Sequence, residues 1–319
     1  MSIRLGRGVE SMIVVTGASG LLGASVVMLA RDLGREVAGI CHRHLLRVPG
    51  TRACKIDLTD RHAMRSLLVP LRPRSIIHCA AITEVDWCEL HPKDTEEVNV
   101  QVSSALAELA QELNAQFLCV STDSVFDGKR GNYSEDDQPA PLSVYAKSKW
   151  RGEQEALCRH SSPLIVRVNI YGWNAQPKQS LAEWILDDLR MRKPVRGFAD
   201  VHFCPMLAND VAEVLLAMLD HGLSGIYHVA GSQRISKYDF AKRVAKSFSL
   251  ATDCIVPTSI VEARLVAPRP LDCSLNTEKV RAALGKTMPD VDAGLRRFRQ
   301  LHESGYQNRL KSFLVGAKQ

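Results

Sequence analysis

The 319-residue chain contains no stretch of about 18 uncharged apolar residues, which is roughly the length a helix needs to cross a bilayer. Its N-terminal stretch carries Arg4 and Arg7 without an apolar core, so it does not resemble a secretory signal. The cysteines form no C-x-x-C pair, and Cys79 and Cys119 lie in apolar runs typical of buried, reduced thiols. These absences predict a cytoplasmic protein with no membrane span.

Concentrated basic charge is also missing. The net charge is +6, but the lysines and arginines are dispersed and are not interleaved with aromatic residues. This distribution argues against nucleic-acid binding and favours a phosphorylated small molecule as the partner. The histidines show no metal-ligand spacing such as H-E-x-x-H, so no metal site is predicted.

What the chain does contain is an alternation of short apolar runs and helical patterns through residue 170. Strands are predicted at 12–16, 36–41, 55–58, 74–81, 116–121 and 164–168, with helices at 21–33, 92–113 and 142–160. This order predicts an α/β fold with a doubly wound parallel sheet, that is, a Rossmann domain over 1–170. The alternation then fades, which predicts a smaller, mostly helical substrate domain over 171–319, with 206–230 returning to the sheet. Residues 1–11 are expected to form a disordered extension.

A glycine-rich turn joins the first strand to the first helix. Gly17 allows a tight turn, Gly20 lets a pyrophosphate approach the helix N-terminus, and Gly23 lets the helix pack closely on the sheet. The spacing is G-x-x-G-x-x-G, and the strand–turn–helix–strand context gives the glycines their meaning. The turn predicts dinucleotide binding by Gly17, Ser19, Gly20, Leu21, Leu22 and Gly23.

The end of the second strand bears on which dinucleotide binds. An NAD site usually places an acidic residue there, whereas this chain reads His42-Arg43-His44. A guanidinium can bind a 2′-phosphate through two hydrogen bonds, so NADP(H) is favoured over NAD(H), with Arg43 leading and His42 or His44 assisting. The alternative is a solvated basic turn.

Two further strand ends are expected near the cofactor. Asp57 could accept a hydrogen bond from the adenine amino group with Leu58 against the ring, or it could cap the following helix. Ala80 and Ala81 are small enough to let the cofactor lie against the fourth strand. Asn99, on the long helix after this strand, completes the expected cofactor contacts.

Tyr145 and Lys149 are four residues apart and share one face of a predicted helix. A phenol has a pKa of about 10, and a nearby ammonium favours the phenolate, which brings that pKa toward the working range. The pair suits proton exchange with a carbonyl or alcohol oxygen. Thr122, at the end of a strand, could hold that oxygen in place.

These motifs occur together with several others in a fixed order. The stretches are Thr16–Gly23, Cys79–Glu89, Val98–Val100, Ser121–Gly128, Tyr145–Lys149 with Gly152 and Glu153, Gly225–His228 and Pro268–Pro270 with Ser274 and Leu275. Over roughly residues 12 to 300, the chain resembles the extended short-chain dehydrogenase/reductases and, among them, the dTDP-4-dehydrorhamnose reductases.

The resemblance implies a reaction in which NADPH delivers hydride to the ketone of a 4-keto-6-deoxy nucleotide sugar. It implies that Tyr145 donates the proton, that Lys149 binds the nicotinamide ribose and lowers the Tyr145 pKa, and that Thr122 binds the reacting oxygen. It leaves a monomer and a homodimer both open.

One position departs from that family. Its usual text Ser-Thr-Asp-Tyr-Val-Phe-Asp-Gly has Ser124 here in place of the tyrosine, which removes an apolar wall near the sugar. Two alternatives therefore stay open. One is a non-catalytic NADP-binding subunit like the regulatory beta subunit of methionine adenosyltransferase. The other is an epimerase or dehydratase, although the dehydratases' Asp-Glu pair is replaced by Asp123-Ser124.

The substrate is expected in a cleft between the two parts of the chain. A nucleotide phosphate could meet Arg269, and a base or sugar could stack on Trp173. Arg269 could instead pair across its loop, and Trp173 could belong to the core. The residues predicted to contact substrate are Glu84, Asp123, Ser124, Trp173, His202 and Arg269.

Overall fold

The computed structural model describes residues 12–315, so the predicted extension over 1–11 lies outside the described residues. The strands are β1 (Ile13–Thr16), β2 (Val37–Cys41), β3 (Leu45–Leu46), β4 (Arg52–Lys55), β5 (Ser75–His78), β6 (Gln116–Thr122), β7 (Leu164–Val168), β8 (Ile170–Tyr171), β9 (Val195–Phe198), β10 (His202–Phe203), β11 (Met206–Leu207), β12 (Gly225–Val229), β13 (Ile235–Ser236), β14 (Ile255–Thr258) and β15 (Leu314–Val315). The α-helices are α1 (Leu21–Asp32), α2 (Arg61–Leu71), α3 (Val85–Leu90), α4 (Pro92–Glu96), α5 (Val102–Glu112), α6 (Val144–Arg159), α7 (Leu181–Arg190), α8 (Ala208–Asp220), α9 (Lys237–Ser247), α10 (Glu278–Leu284), α11 (Val291–Glu303) and α12 (Tyr306–Ser312). Among these residues, none of the helices is both long and apolar enough to cross a membrane.

A seven-stranded parallel sheet forms the centre, in the order β12-β7-β6-β5-β1-β2-β4. The strand order reverses beside β1, which pairs with β2 on one side and β5 on the other. In such sheets, ligands bind at this reversal, outside the carboxyl ends of the strands. The predicted α/β fold with a doubly wound sheet is confirmed, and the strand within 206–230 lies at one edge of this sheet.

Apolar side chains cover both faces of the sheet. One face packs against α1 and α8, and the other packs against α2, α5 and α6. The central strands are buried along their whole length, as β1, β2, β5 and β7 are here, which explains their continuous apolar runs. Loops at the carboxyl edge are therefore carried on a rigid layer.

The second half combines helices with two-stranded sheets. β9 pairs with β14 in parallel, β10 pairs with β13 antiparallel, and helices α7, α9 and α11 pack around them. No strand was predicted at β14, a short strand that gains its hydrogen-bond partner only from β9. No separate element was predicted at α12 or at β15, which pairs with β3.

Two predicted elements differ from the observed ones. The third strand was expected at 55–58, but β4 ends at Lys55, because Asp57 accepts hydrogen bonds from the Thr59 backbone and hydroxyl and forms a turn. The helix expected over 92–113 contains a π-helical segment, Glu97–Gln101, between α4 and α5. Such π segments frequently mark functional sites.

Candidate active site

The glycine turn lies against the end of β5. Gly17 has φ +65°, and a Cβ there would lie 2.7 Å from the Ala80 backbone nitrogen. A Cβ at Gly23 would lie 2.2 Å from the Gly17 carbonyl oxygen, so the start of α1 packs directly on the turn. Gly20 is the N-cap of α1 and supplies no side-chain cap, which leaves the backbone N–H groups of the first turn available to an anion.

Ser19, within the turn, contacts a segment that the sequence did not single out. Its hydroxyl accepts a hydrogen bond from the Gln176 amide at 3.0 Å. Lys178, two residues further on, donates to the Thr83 hydroxyl at 3.2 Å and pairs with Glu84 at 3.3 Å. Glu84 therefore anchors the 176–178 segment, which bridges the glycine turn and the end of β5. Nothing in the sequence pattern signalled this bridge.

The basic residues after β2 are exposed. The side chains of His42, Arg43 and His44 reach solvent, and no acidic side chain stands at the end of β2. Asp57 lies 3.6 Å from His42, and hydrogen bonds from the Thr59 backbone and hydroxyl, with the nearby His42, hold its pKa below the usual range. The helix cap is Asp60, which accepts from the Ala63 N–H, so the capping alternative for Asp57 is wrong.

Asn99 lies in the π segment, and both N–H groups of its amide are bonded to protein groups. The amide donates to the Ile82 carbonyl and the Ser148 hydroxyl, at 3.1 and 2.9 Å, while its oxygen accepts from the Ile82 N–H. Only the second lone pair of that oxygen is left for the cofactor contact that the sequence predicted. Asn99 also ties the chain after Ala81 to helix α6.

Thr122, Tyr145 and Lys149 lie together at the carboxyl edge of the sheet. Thr122 ends β6, and Ser143 caps α6 by accepting from the Ala146 N–H, which places Tyr145 and Lys149 on successive turns. The Lys149 ammonium donates to the Val120 carbonyl at 2.7 Å, which pins α6 to β6.

The Tyr145 phenol has a shifted pKa. Burial raises its pKa above the usual value and the Thr122 hydroxyl opposes this rise, while Asp123 and Cys88 add to it. Lys149 is not among the groups that shift this pKa here, where its ammonium is directed to the Val120 carbonyl. A raised pKa keeps the phenol protonated at neutral pH, the form that donates a proton.

Asp123 and Ser124 follow Thr122 directly. The Asp123 carboxylate accepts from the Thr122 and Ser124 hydroxyls, both at 3.2 Å, and from the Asn169 amide at 2.6 Å. Burial raises the pKa of this carboxyl group. Asn169 follows β7, so its position after a parallel strand was a signal that sequence reasoning could have used.

Two further residues predicted to contact substrate, Arg269 and His202, make contacts with other protein groups. Arg269 pairs with Asp86 at 3.0 Å and donates to the Ala267 carbonyl at 2.9 Å, as the pairing alternative expected. His202 is half-buried, and its backbone N–H donates to the Leu271 carbonyl.

Trp173 belongs to the core, which corrects its prediction as a stacking platform. Only 2% of its surface is exposed, and its indole N–H donates to the Phe298 carbonyl at 2.9 Å. Its ring stacks on Phe298 and His302, with centroids 4.1 and 5.1 Å away. The buried indole ring packs against protein side chains and its N–H is bonded to a carbonyl, so no face is left for a ligand.

A glycine turn beside the strand-order reversal, with threonine, tyrosine and lysine at the neighbouring strand end, defines an extended short-chain dehydrogenase/reductase. The chain belongs to the family described as RmlD substrate binding domain, whose profile matches residues 11–303. Its fold matches a dTDP-4-dehydrorhamnose reductase from Bacillus anthracis in complex with NADP, with a TM-score of 0.83 and 25% identity over 92% of this chain and 99% of that one. A hypothetical dTDP-4-dehydrorhamnose reductase from Sulfolobus tokodaii gives a TM-score of 0.79 and 30% identity over 88% of this chain and 98% of that one.

Two kinds of curated relative match to a similar degree. The probable low-salt glycan biosynthesis reductase Agl14 of Haloferax volcanii is 32% identical over 88% of this chain and 95% of its own length. Methionine adenosyltransferase 2 subunit beta of Danio rerio is 32% identical over 84% of this chain and 83% of its own length. The family is thus an oxidoreductase family that also contains a subunit named for a different enzyme.

Proposed function

We propose that this protein is an NADPH-dependent reductase of a 4-keto-6-deoxy nucleotide sugar. The observation that carries the proposal is the convergence of Thr122, Tyr145 and Lys149 at the strand ends beside the glycine turn. The reductases among its relatives and structural neighbours support the proposal.

Each of the three residues would have a separate role in the reduction. A bound nicotinamide would supply the hydride that the carbonyl carbon accepts. The Thr122 hydroxyl binds the carbonyl oxygen, and the Tyr145 phenol gives that oxygen its proton. Lys149, which the Val120 carbonyl holds in place, would bind the ribose of the nicotinamide, as the family resemblance implies.

The test of this function is NADPH consumption by the purified protein with dTDP-4-keto-6-deoxyglucose, made in situ by a dehydratase. Turnover to a 6-deoxyhexose nucleotide is expected. The proposal fails if NADPH binds tightly while this and related 4-keto sugars are not reduced.

Cofactor selection is expected to depend on Arg43. Replacing Arg43 by Ala removes the exposed guanidinium after β2 that we assign to the 2′-phosphate, so NADPH affinity should fall about 10- to 100-fold, the loss expected for a charged hydrogen bond. NADH affinity should change less than about 3-fold. Fluorescence titration of both cofactors measures this, with Arg47→Ala as the matched exposed control. Equal losses for the two cofactors would remove the 2′-phosphate role.

The pH profile of reduction follows from the raised pKa of Tyr145. A proton donor acts in its protonated form, which persists up to its pKa, here above the ordinary value of about 10. The kcat for reduction should therefore stay level from about pH 7 to about pH 9 and fall only at higher pH. Stopped-flow measurement of the hydride-transfer step checks this. A limb that falls near pH 8 would show a lowered pKa instead.

A second candidate is a non-catalytic, cofactor-binding subunit of a methionine adenosyltransferase. The observation that favours it is the 32% identity to the Danio rerio beta subunit, equal to the value for the glycan reductase. Co-purification with a synthetase, together with no turnover of any 4-keto sugar, would support this candidate over the reductase.

A further inference from the structure

Lys237 carries an ammonium near Asp123, the residue that follows Thr122, although the sequence did not mark it. It is the first residue of α9, where Ser236 caps the helix by accepting from the Asp239 N–H. The Lys237 N–H donates to the Val201 carbonyl at 3.0 Å, and Ser236 pairs with His202 across β13 and β10. The backbone of Lys237 is therefore held on both sides.

Hydrogen bonds link this helix start to the strand end that carries Asp123. The Cys273 N–H donates to the His202 carbonyl at 3.1 Å. The Cys273 thiol donates to the Phe126 carbonyl at 3.8 Å. The Phe126 N–H in turn donates to the Asp123 carbonyl at 3.3 Å. The loop that contains Cys273 thus connects the segment before Lys237 to the segment that follows Asp123.

The Lys237 ammonium has no hydrogen-bond or ion-pair partner among residues 12–315. It lies 6.0 Å from the ring centre of Phe198 and 5.9 Å from that of Phe203, on a half-buried side chain. Burial lowers its pKa, and the nearby Asp123 carboxylate opposes that shift without forming an ion pair. A half-buried ammonium that no protein group pairs with keeps its N–H groups available to a ligand.

The carboxylate of Asp123 keeps one acceptor position. A carboxylate has about four lone-pair sites, and the Ser124 hydroxyl and Asn169 amide occupy two of them. The Thr122 hydroxyl occupies a third in this structure and releases it when it turns to the substrate carbonyl. Arg269, the other cation near Lys237, is already paired with Asp86. The available groups are thus the three donors of the Lys237 ammonium and at least one acceptor position on Asp123.

We infer that Lys237 and Asp123 bind one hydroxyl group of the substrate between them, beside the carbonyl that Thr122 holds. The ammonium donates to the hydroxyl oxygen, and the hydroxyl hydrogen is donated to the carboxylate. A substrate carboxylate would be repelled by Asp123, so a neutral sugar fits better. The inference rests on the proposed function. In a 4-keto-6-deoxyhexose, one neighbour of the carbonyl carbon carries the ring oxygen, so the hydroxyl is the one on carbon 3.

The test compares wild type with Lys237→Met on the 4-keto sugar and on its 3-deoxy analogue. Lys237→Met should lower kcat/KM about 10- to 100-fold, mainly through KM, because a charged hydrogen bond is lost. Wild type should lose a similar factor with the 3-deoxy analogue, and the variant should lose little more. Lys242→Met, an exposed lysine of the same helix over the Tyr238 ring, is the control and should resemble wild type.

Several outcomes would overturn the inference. One is a Lys237→Met enzyme within about 3-fold of wild type, and another is an equal loss from the 3-deoxy change in both proteins. The 3-deoxy comparison on wild type alone needs no variant, so a folding defect in Lys237→Met does not block the test. If wild type reduces no 4-keto sugar, the proposed function fails by itself. Calorimetry with the 6-deoxyhexose nucleotide then decides, because binding that Lys237→Met weakens supports the inference, and equal or absent binding overturns it.

Discussion

Replacing Tyr145 by Phe is expected to lower kcat for reduction by about 100- to 10,000-fold, the contribution of a positioned general acid. The ring would still fill its place at the start of α6, while the hydroxyl that gives its proton to the substrate oxygen would be gone. NADPH affinity should stay nearly unchanged, because the glycine turn and the basic residues after β2 are untouched. Single-turnover kinetics and cofactor titration measure the two quantities separately.

Tyr133→Phe provides a matched control for this substitution. The Tyr133 hydroxyl donates to Asp127 at 2.6 Å, and its ring stacks on Phe126 in a buried cluster. Losing that hydrogen bond should affect stability and leave the chemical step in place. If Tyr145→Phe reduces the ketone at a rate comparable to that of Tyr133→Phe, the assigned proton donor is wrong.

Replacing Glu153 by Gln is expected to lower the free energy of unfolding by about 3–5 kcal/mol, the usual cost of leaving a buried charge without its partner. Glu153 lies on α6 one turn after Lys149 and pairs with Arg167 of β7 at 2.7 Å, and both side chains are almost completely buried. The Ser121 hydroxyl also donates to Glu153. The pKa of the adjacent His228 falls to about 3 through burial and the Arg167 charge, so a neutral imidazole cannot replace the lost carboxylate.

Denaturant unfolding of Glu153→Gln checks this expectation, with Glu96→Gln as the matched control. Glu96 pairs with Arg151 at 2.7 Å on the surface, where such a pair contributes only about 0–1 kcal/mol. Similar losses in the two variants would contradict the structural role given to the buried pair. Because this pair fixes α6 against the strands, any folded Glu153→Gln enzyme should also show a lower kcat.

The strands of the central sheet could be predicted because each is a short apolar run between turn residues. Strand β7 has the predicted boundaries. Strand β14 could not be recognised in this way, since it is partly exposed and contains Pro257, and its hydrogen bonds come from β9, far away in sequence. The π segment was missed for a similar reason, because the amphipathic pattern continues through it.

Some parts of the candidate site could be predicted from the sequence and others could not. The glycine turn and the Tyr145–Lys149 pair are local in sequence, so their spacing alone was enough to predict them. The hydrogen-bond partners of Asn99 and Trp173, and the Phe203 ring near Lys237, come from other segments of the chain. No local pattern could show that the first two are engaged by protein groups while the Lys237 ammonium keeps its donors for a ligand.

The sequence by itself therefore determined the fold class, the glycine turn and the Tyr145–Lys149 pair, because strand periodicity and motif spacing act over a few residues. Only the tertiary structure decided which polar groups remain available at the cleft. Burial and hydrogen-bond partners set the raised pKa of Tyr145, assigned Trp173 to the core and placed Lys237 beside Asp123. These properties depend on which distant segments meet, and chain folding alone sets those contacts.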